Sequence, residues 1–260
     1  MITAGIDIGS LTAKAVVLKD KDIAGYAIMT AGADVTAAAG RVLGEALEKA
    51  GQRQEDLAVV VATGYGRAKV PQAKKSVTEI TCDARGTHFL FPEAGMIIDI
   101  GGQDSKVISL DAQGRVIDFT MNDKCAAGTG RFLEVMARAL EIELDQLGPV
   151  SLKHRKAVVI SSMCTVFAES EVVSLIAEGY AREDILNGLH QAIASRIAAM
   201  AQGLRAEKTV VLGGGVAKNS GVVQALEEKL KTRVKVPPEP QIVAALGAAI
   251  CAREMAEAKH

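Results

Sequence analysis

The hydrophobic residues in the first part of the chain form short runs that are separated by turns and charged corners. Apolar or alternating runs of this length predict buried or half-buried β-strands. The predicted strands cover residues 2–7, 13–19, 23–30 and 57–62. A helix is predicted before the last of them, at Val35–Ala50, because its apolar residues recur at helical spacing and Gly51 follows it. Three successive strands ahead of the first helix form a β-meander, which distinguishes this domain from a Rossmann domain.

The same order of elements recurs further along the chain. Strands are predicted at residues 96–99, 105–110 and 116–121, and a helix at 126–140. A strand-turn-strand-strand-helix unit that appears twice, roughly 90 residues apart, predicts two similar α/β domains that face one another. We assign residues 1–94 and about 241–260 to the first domain and residues 95–240 to the second. A ligand is expected in the cleft between them.

The remaining chain is mainly helical. Helices are predicted at residues 166–178, 182–204, 216–230 and from about 242 onward, with one strand at 209–212. The proline-dense segment 237–240 predicts a crossing between the domains, with a hinge nearby.

Composition narrows the classes of function. The chain has 260 residues, 49% of them hydrophobic, and its net charge of -1 offers no basic surface to nucleic acid or anionic membranes. No basic-apolar leader begins the chain, and no apolar run reaches the roughly 20 residues of a bilayer span, so we expect a cytoplasmic protein. The four cysteines form no CxxC pair, which argues against a zinc ribbon or a thioredoxin-like site.

A candidate phosphate-binding turn follows the first strand. Gly9 lets backbone N–H groups approach an anion that a side chain would block, and Asp7 can hold Mg²⁺ directly or through water. The residues assigned to the nucleotide here are Gly9, Ser10, Leu11, Thr12 and Lys14. An ordinary tight hairpin with a capping aspartate explains the same residues, so this motif alone leaves both interpretations open.

A second turn of the same plan follows residues 96–99. Asp99 is a second candidate ligand for Mg²⁺, and the residues assigned to the nucleotide are Gly101, Gly102 and Gln103. Gln103 is predicted to position a water molecule for attack on a γ-phosphate, although a solvent-facing turn residue is the alternative. The predicted catalytic set is Gln103, Asp99 and Asp7. Asp104 and Lys106 are explained equally well by a salt bridge within the hairpin.

A third glycine-rich turn lies between a strand and a helix, where close approach of backbone suits a purine and ribose. It contains Gly213, Gly214, Gly215 and Lys218. A plain strand-to-helix turn is the alternative. In their order along the chain, the three turns resemble those of the superfamily of acetate and sugar kinases, heat-shock chaperone ATPases and actin. That resemblance implies two ribonuclease H-like domains that close on Mg²⁺ and ATP or ADP.

Two cysteines carry a separate signal. Cys125 is expected at the N-terminus of the helix predicted at 126–140, where the helix dipole and free N–H groups stabilise a thiolate or an anionic metal cluster. Cys164 is expected between a strand and a helix start. A small buried cysteine is the commoner alternative for Cys125, and Cys164 is a candidate second ligand. Cys82 and Cys251 are expected inside helices as packing residues.

Three longer segments around these positions resemble one family closely. NDKCAAGTGRF, SSMCTVFAESEV and ATGYGR look like the ATP-dependent activators of 2-hydroxyacyl-CoA dehydratases and benzoyl-CoA reductases, of the BadF/BadG/BcrA/BcrD type. The resemblance implies a homodimer in which Cys125 and Cys164 of both subunits hold one [4Fe–4S] cluster. It further implies that ferredoxin or flavodoxin supplies an electron, and that ATP hydrolysis drives its transfer to an iron–sulfur dehydratase or reductase.

Two other classes of function stay open at this point. A small-molecule kinase of the same fold needs a carboxylate base, for which Glu79 and Asp83 are candidates, but a sugar kinase needs neither Cys125 nor Cys164. A non-enzymatic ATP-dependent switch needs a surface for a protein partner, and the chain lacks a separate peptide-binding domain. The sequence does not distinguish among the dehydratases and reductases that such activators serve.

Overall fold

The structure, a computed structural model, describes residues 1–161, 164–204 and 209–258. The chain divides into two compact units. The first comprises Met1–Gly95, Leu110–Ile117 and Gln241–His260, and the second comprises Met96–Ser109 and Asp118–Pro240. The division places the hairpin turn after residue 109 with the first unit, whereas the sequence assigned all of 95–240 to the second.

The described residues form ten strands and eight α-helices. The strands are β1 Ile2–Ile8, β2 Thr12–Lys19, β3 Asp22–Thr30, β4 Leu57–Thr63, β5 Lys75–Ser76, β6 Ala94–Ile100, β7 Ser105–Leu110, β8 Val116–Asn122, β9 Thr209–Gly213 and β10 Val234–Lys235. The helices are α1 Val35–Ala50, α2 Glu79–Leu90, α3 Gly130–Leu140, α4 Leu147–Ser151, α5 Thr165–Ala177, α6 Arg182–Ala201, α7 Ser220–Leu230 and α8 Val243–Glu257.

Each unit is built on one five-stranded sheet, and the two sheets share one topology. The strand order is β3-β2-β1-β4-β5 in the first sheet and β8-β7-β6-β9-β10 in the second. In both, the first two strands of the unit are antiparallel neighbours, as the predicted meander requires. The predicted α/β fold with two domains of similar topology is confirmed.

Helices cover the sheet of the first unit. Helix α1 packs against β2 and β3, and α8 packs against β1, β2 and β4. Only glycine fits at Gly5 of β1, because a Cβ there would overlap the backbone of Ala245 and Ala249 in α8. The core of this unit is therefore made largely of small and branched residues, in agreement with the few aromatic residues of the chain.

The second unit has the largest apolar core of the described chain. Its fully buried side chains include Ile98 of β6, Met136 and Leu140 of α3, and Leu189 of α6. Helix α3 fits this core because its apolar residues fall on one face while Arg131, Arg138 and Glu141 lie on the exposed side. No helix in the described part of the chain is long and apolar enough to cross a membrane.

Several predicted elements differ in the structure. Helix α3 begins at Gly130 and not at residue 126, because Gly128 has φ +82° and Thr129 is extended, so neither continues a helix. The predicted helix at 216–230 is split into a 3-10 turn, Gly215–Lys218, and α7, since the side chain of Asn219 caps α7. The described residues 152–161 ahead of Cys164 form no strand.

Candidate functional site

The turn between β1 and β2 places a buried carboxylate beside a buried ammonium group. Asp7 and Lys14 lie opposite one another across the two strands, and Lys14 Nζ is 2.8 Å from Asp7 Oδ2. The Asp7 side chain is 8% exposed and that of Lys14 13%. A pair this well shielded holds the carboxylate in a fixed position, because each charge needs the other once water is excluded.

A backbone hydrogen bond closes the same turn. The N–H of Gly9 donates to the carbonyl of Thr12 at 3.0 Å, while Ser10 between them is exposed. A Cβ at Gly9 would lie 3.2 Å from Lys14 Nζ, so a larger residue would push on the ion pair. The structure thus brings together Asp7, Gly9, Thr12 and Lys14 of the predicted set, with Ser10 and Leu11 at the tip of the turn.

The turn between β6 and β7 repeats this arrangement. Asp99 lies opposite Lys106 across the strands, and Lys106 Nζ is 3.1 Å from Asp99 Oδ2. The N–H of Gly101 donates to the carbonyl of Asp104 at 2.9 Å, as Gly9 does to Thr12. Lys106 also contacts Asp104 Oδ2 at 2.7 Å, so the hairpin salt bridge considered for these two residues is present. Gln103 is exposed at the tip of the turn.

The third glycine-rich turn lies against the same carboxylate. A Cβ at Gly213 would be 3.3 Å, and one at Gly214 2.9 Å, from Asp99 Oδ1. Gly214 has φ +79°, and its N–H donates to the carbonyl of Pro240 at 3.0 Å. Lys218 forms an ion pair with Glu239 at 2.9 Å. Two of the three motifs found in the sequence therefore meet within the second unit, at Asp99.

The first unit has the corresponding turn after β4, in the segment ATGYGR, which was predicted only as part of the family resemblance and without a site role. A Cβ at Gly64 would overlap Asp7 Oδ1, and Gly64 has φ +88°, just as Gly214 packs on Asp99 with positive φ. The N–H of Gly66 donates to the carbonyl of Ile8 at 2.9 Å. Tyr65, between these glycines, is 73% exposed. The signal was available, because the glycines after β4 occupy the same place in the repeated topology as those after β9.

The second turn is hydrogen-bonded directly to the start of α3. The N–H of Gly130 donates to the carbonyl of Gly101, and the N–H of Arg131 to that of Gly102, both at 2.8 Å. The first N–H groups of a helix have no partner within the helix, and here the glycine turn between β6 and β7 supplies the acceptors. Any displacement of Gly101 or Gly102 therefore acts on the first turn of α3.

Cys125 lies on the segment that leads into α3. The expectation that it stands at the N-terminus of this helix is wrong, because α3 begins at Gly130, after Thr129. Instead, Asn122 Nδ2 donates to the carbonyl of Cys125 at 2.8 Å and to that of Ala127 at 3.3 Å. Thr129 Oγ1 donates to the carbonyl of Ala126 at 2.6 Å. The Cys125 thiol is free and half-buried on a loop whose backbone is fixed by side chains.

Cys164 lies at the N-cap of α5, as the sequence predicts for a helix start. Its thiol is free and exposed. The first turn of α5 exposes Val166 by 67% and Phe167 by 66%. Glu171, one turn further along, accepts from the N–H and hydroxyl of Ser161, which holds the described part of the preceding loop against the helix.

Comparison with known proteins decides the family. The model of the BadF/BadG/BcrA/BcrD ATPase family matches residues 4–252. The chain belongs to this ATPase family. It is 51% identical to the activator of lactoyl-CoA dehydratase from Anaerotignum propionicum, over 100% of both chains.

Two solved structures extend the similarity to the fold. The (R)-2-hydroxyglutaryl-CoA dehydratase component A of Acidaminococcus fermentans has a TM-score of 0.96 and 45% identity, with 99% of each chain covered. The activator of the 2-hydroxyisocaproyl-CoA dehydratase from Clostridium difficile, with bound ADPNP, has a TM-score of 0.95 and 46% identity, with 100% of this chain and 97% of that chain covered.

A buried polar chain in this ATPase-family protein supports the third glycine turn. Asn219 accepts from the N–H groups of Gly221 and Val222, and its Nδ2 is 3.2 Å from His190 Nε2. His190 Nδ1 is 3.0 Å from Ser151 Oγ, which donates to the carbonyl of Gly148. Every group is satisfied when the imidazole is neutral and carries its proton on Nδ1. Burial lowers the pKa of His190 to about 4.

The two carboxylates considered for a kinase reaction both belong to α2. Asp83 is 3% exposed, and Glu79, the first residue of the helix, is half-buried. Within the described residues, no three His, Cys, Asp or Glu side chains gather as a metal site.

Proposed function

We propose that this chain is an ATP-hydrolysing activator that passes electrons at low potential to an iron–sulfur 2-hydroxyacyl-CoA dehydratase or a related reductase. Whole-length similarity to proteins named as activators supports the class. The observation that carries the coupling is the pair of hydrogen bonds from Gly130 and Arg131 to the turn at Gly101 and Gly102. They join a phosphate-type turn to the loop that bears Cys125.

The nucleotide contacts are assigned to the three predicted turns. Backbone N–H groups around Gly9 and Gly101 face phosphate oxygens, and the glycines at 213–215 accommodate the nucleoside. Asp7 and Asp99 hold Mg²⁺ through its water ligands, since Mg²⁺ keeps several waters and each carboxylate already has a lysine partner. Gln103, exposed at the turn, orients the attacking water. The placement of this nucleotide between the two units stays a prediction.

Cys125 and Cys164 fit a shared cluster in their chemistry. Both thiols are free and neither is fully buried. Ligands to a cluster shared with a second subunit need this accessibility. Two chains supply the four thiolates that a [4Fe–4S] cluster needs, which makes a homodimer part of the proposal. Apolar side chains are exposed beside both cysteines, at Phe119 and Met121 on β8 and at Val166 and Phe167 on α5, and such patches mark interfaces. A bound cluster supplies one-electron transfer.

The coupling is assigned to residues of this chain. Loss of the γ-phosphate changes the contacts of the turn at Gly101 and Gly102, and α3 follows because its first two N–H groups are bonded there. Hydrogen bonds from Asn122 and Thr129 hold the Cys125 loop rigid, so a movement of α3 also displaces the Cys125 thiol. The turn and the loop then share two arrangements that ATP and ADP favour differently. A ferredoxin or flavodoxin is the proposed electron donor.

ATP-dependent reduction of a partner enzyme tests this function. The anaerobically purified protein is mixed with a reductant and a 2-hydroxyacyl-CoA dehydratase, and dehydration is followed with ATP or with a non-hydrolysable analogue. We expect activation with ATP alone. Activation that proceeds equally without hydrolysis contradicts the coupling, and phosphorylation of a sugar by the purified protein would favour the kinase alternative.

A further inference from the structure

A second pair of cysteines lies away from Cys125 and Cys164, inside the first unit. Cys82 is in α2 and fully buried, and Cys251 is in α8 and half-buried. The two helices pack along their length. Cys82 belongs to the small apolar cluster between them, and Cys251 packs against that cluster.

Glycine brings the two helix backbones into direct contact at this point. A Cβ at Gly247 would overlap the carbonyl of Cys82, and one at Gly86 would overlap the carbonyl of Val243. The helices are therefore antiparallel, with their backbones in direct contact at Gly247 and Gly86. Disulfides require Cα atoms within about 7 Å, and a close approach of the two backbones favours that condition.

The side-chain directions bring the thiols together. Side chains in a helix lean toward its N-terminus. Cys251 lies one turn beyond Gly247 in α8, and Cys82 faces Gly247, so in antiparallel helices each thiol leans toward the other. The two thiols are near enough for each to shift the pKa of the other.

The environment makes the two sulfurs unequal. The neighbouring Cys251 thiol and burial raise the pKa of the Cys82 thiol, and Asp83 acts in the same direction, while the Thr63 hydroxyl opposes them. The neighbouring Cys82 thiol lowers the pKa of Cys251, and the charges of Arg85 and Lys75 act in the same direction, against burial and the charge of Glu254. The half-buried sulfur is thus the nucleophile and the buried one its resolving partner.

We propose that Cys82 and Cys251 form a reversible disulfide and are a peroxide-modification site of this protein. The Cys251 thiolate attacks hydrogen peroxide, gives a sulfenic acid and releases hydroxide, which takes up the thiol proton to become water. The Cys82 thiol then displaces the sulfenic hydroxyl as a second water, so two thiols and one peroxide give one disulfide and two waters. The disulfide links α2 to α8. Helix α2 precedes the passage of the chain from the first unit to the second at Gly95–Met96, and α8 follows its return at Pro240–Gln241.

Peptide mapping after peroxide treatment tests this proposal, which does not depend on the proposed function. The wild-type protein is treated with a small excess of hydrogen peroxide, free thiols are alkylated, and the digest is analysed without reduction. We expect a peptide pair linked through Cys82 and Cys251, lost on dithiothreitol treatment and absent from Cys251→Ser. A Cys125→Ser, Cys164→Ser double variant keeps no cysteines other than this pair and should lose two free thiols per chain while staying monomeric in non-reducing electrophoresis.

Two outcomes overturn the proposal. One is that both thiols stay alkylatable at peroxide concentrations that fully oxidise free cysteine. The other is that oxidation links chains, or leaves Cys251 over-oxidised with Cys82 still reduced. If the disulfide forms while ATP-dependent activation fails, the modification site stands and the proposed function does not.

Discussion

The N–H of Gly130 donates to the carbonyl of Gly101 at 2.8 Å, and this contact joins the start of α3 to the glycine turn between β6 and β7. The helix is preceded by the loop of Cys125, and the turn is preceded by Asp99. A change at the turn therefore acts on the helix start that follows the loop of Cys125, the cysteine that the family resemblance assigns to a cluster.

Gly128→Ala should uncouple ATP hydrolysis from activation of the partner enzyme. Gly128 has φ +82°, and a Cβ there would lie 3.0 Å from Arg196 Cδ, so alanine is strained and shifts the Cys125 loop. We expect about 1–2 kcal/mol of lost stability and a larger loss of partner activation than of ATP hydrolysis. Gly179→Ala is the matched control, because Gly179 has φ +83° with open space around it. Equal loss of activation in both variants would mean that the Cys125 loop has no special role.

Lys14→Met should damage both stability and nucleotide binding. It leaves Asp7 buried without its counter-charge, which costs about 3–5 kcal/mol in comparable buried pairs. Lys49→Met breaks an exposed pair with Glu45 and should cost at most about 1 kcal/mol. Chemical denaturation and titration with ADP measure the two effects. A Lys14 variant as stable as the Lys49 variant contradicts the assignment of a shielded pair.

Gln103→Ala should slow hydrolysis and leave ATP affinity intact. The side chain is exposed and is assigned only to the attacking water, so we expect roughly a hundredfold lower kcat. Gln113→Ala, in the exposed turn between β7 and β8, is the control and should be unchanged. Steady-state ATPase assays with separate kcat and KM distinguish the two, and an unaltered kcat in Gln103→Ala refutes the role.

The free energy of unfolding should fall in mild acid because of His190. Its pKa is about 4 in the folded protein and 6.5 in the unfolded chain, so only the unfolded chain takes up the proton between these values. The contribution of neutral His190 to the free energy of unfolding is fully present above pH 6.5 and is lost as the pH falls toward 4. The loss is about 2 kcal/mol at pH 5. Denaturation of wild type and His190→Gln across this range should show a shallower pH dependence in the variant.

Local patterns predicted most of the elements but fewer of the contacts. The strands and α1 follow from apolar runs and from Gly51, which need no distant information. Ala126 and Ala127 favour a helix, which is why its start was placed too early; the backbone at Gly128 and Thr129 decides otherwise. His190 was missed because Ser151 and Asn219, its partners, are far away in the sequence.

Iron analysis of the anaerobically purified protein tests the central claim most directly. We predict about four irons per two chains with visible absorbance, as four thiolates on one cluster require. Cys125→Ser should stay folded and lose this iron, whereas Cys251→Ser should keep it. A folded Cys125→Ser protein with full iron content, or a wild-type protein that hydrolyses ATP and activates its partner without iron, would contradict the account.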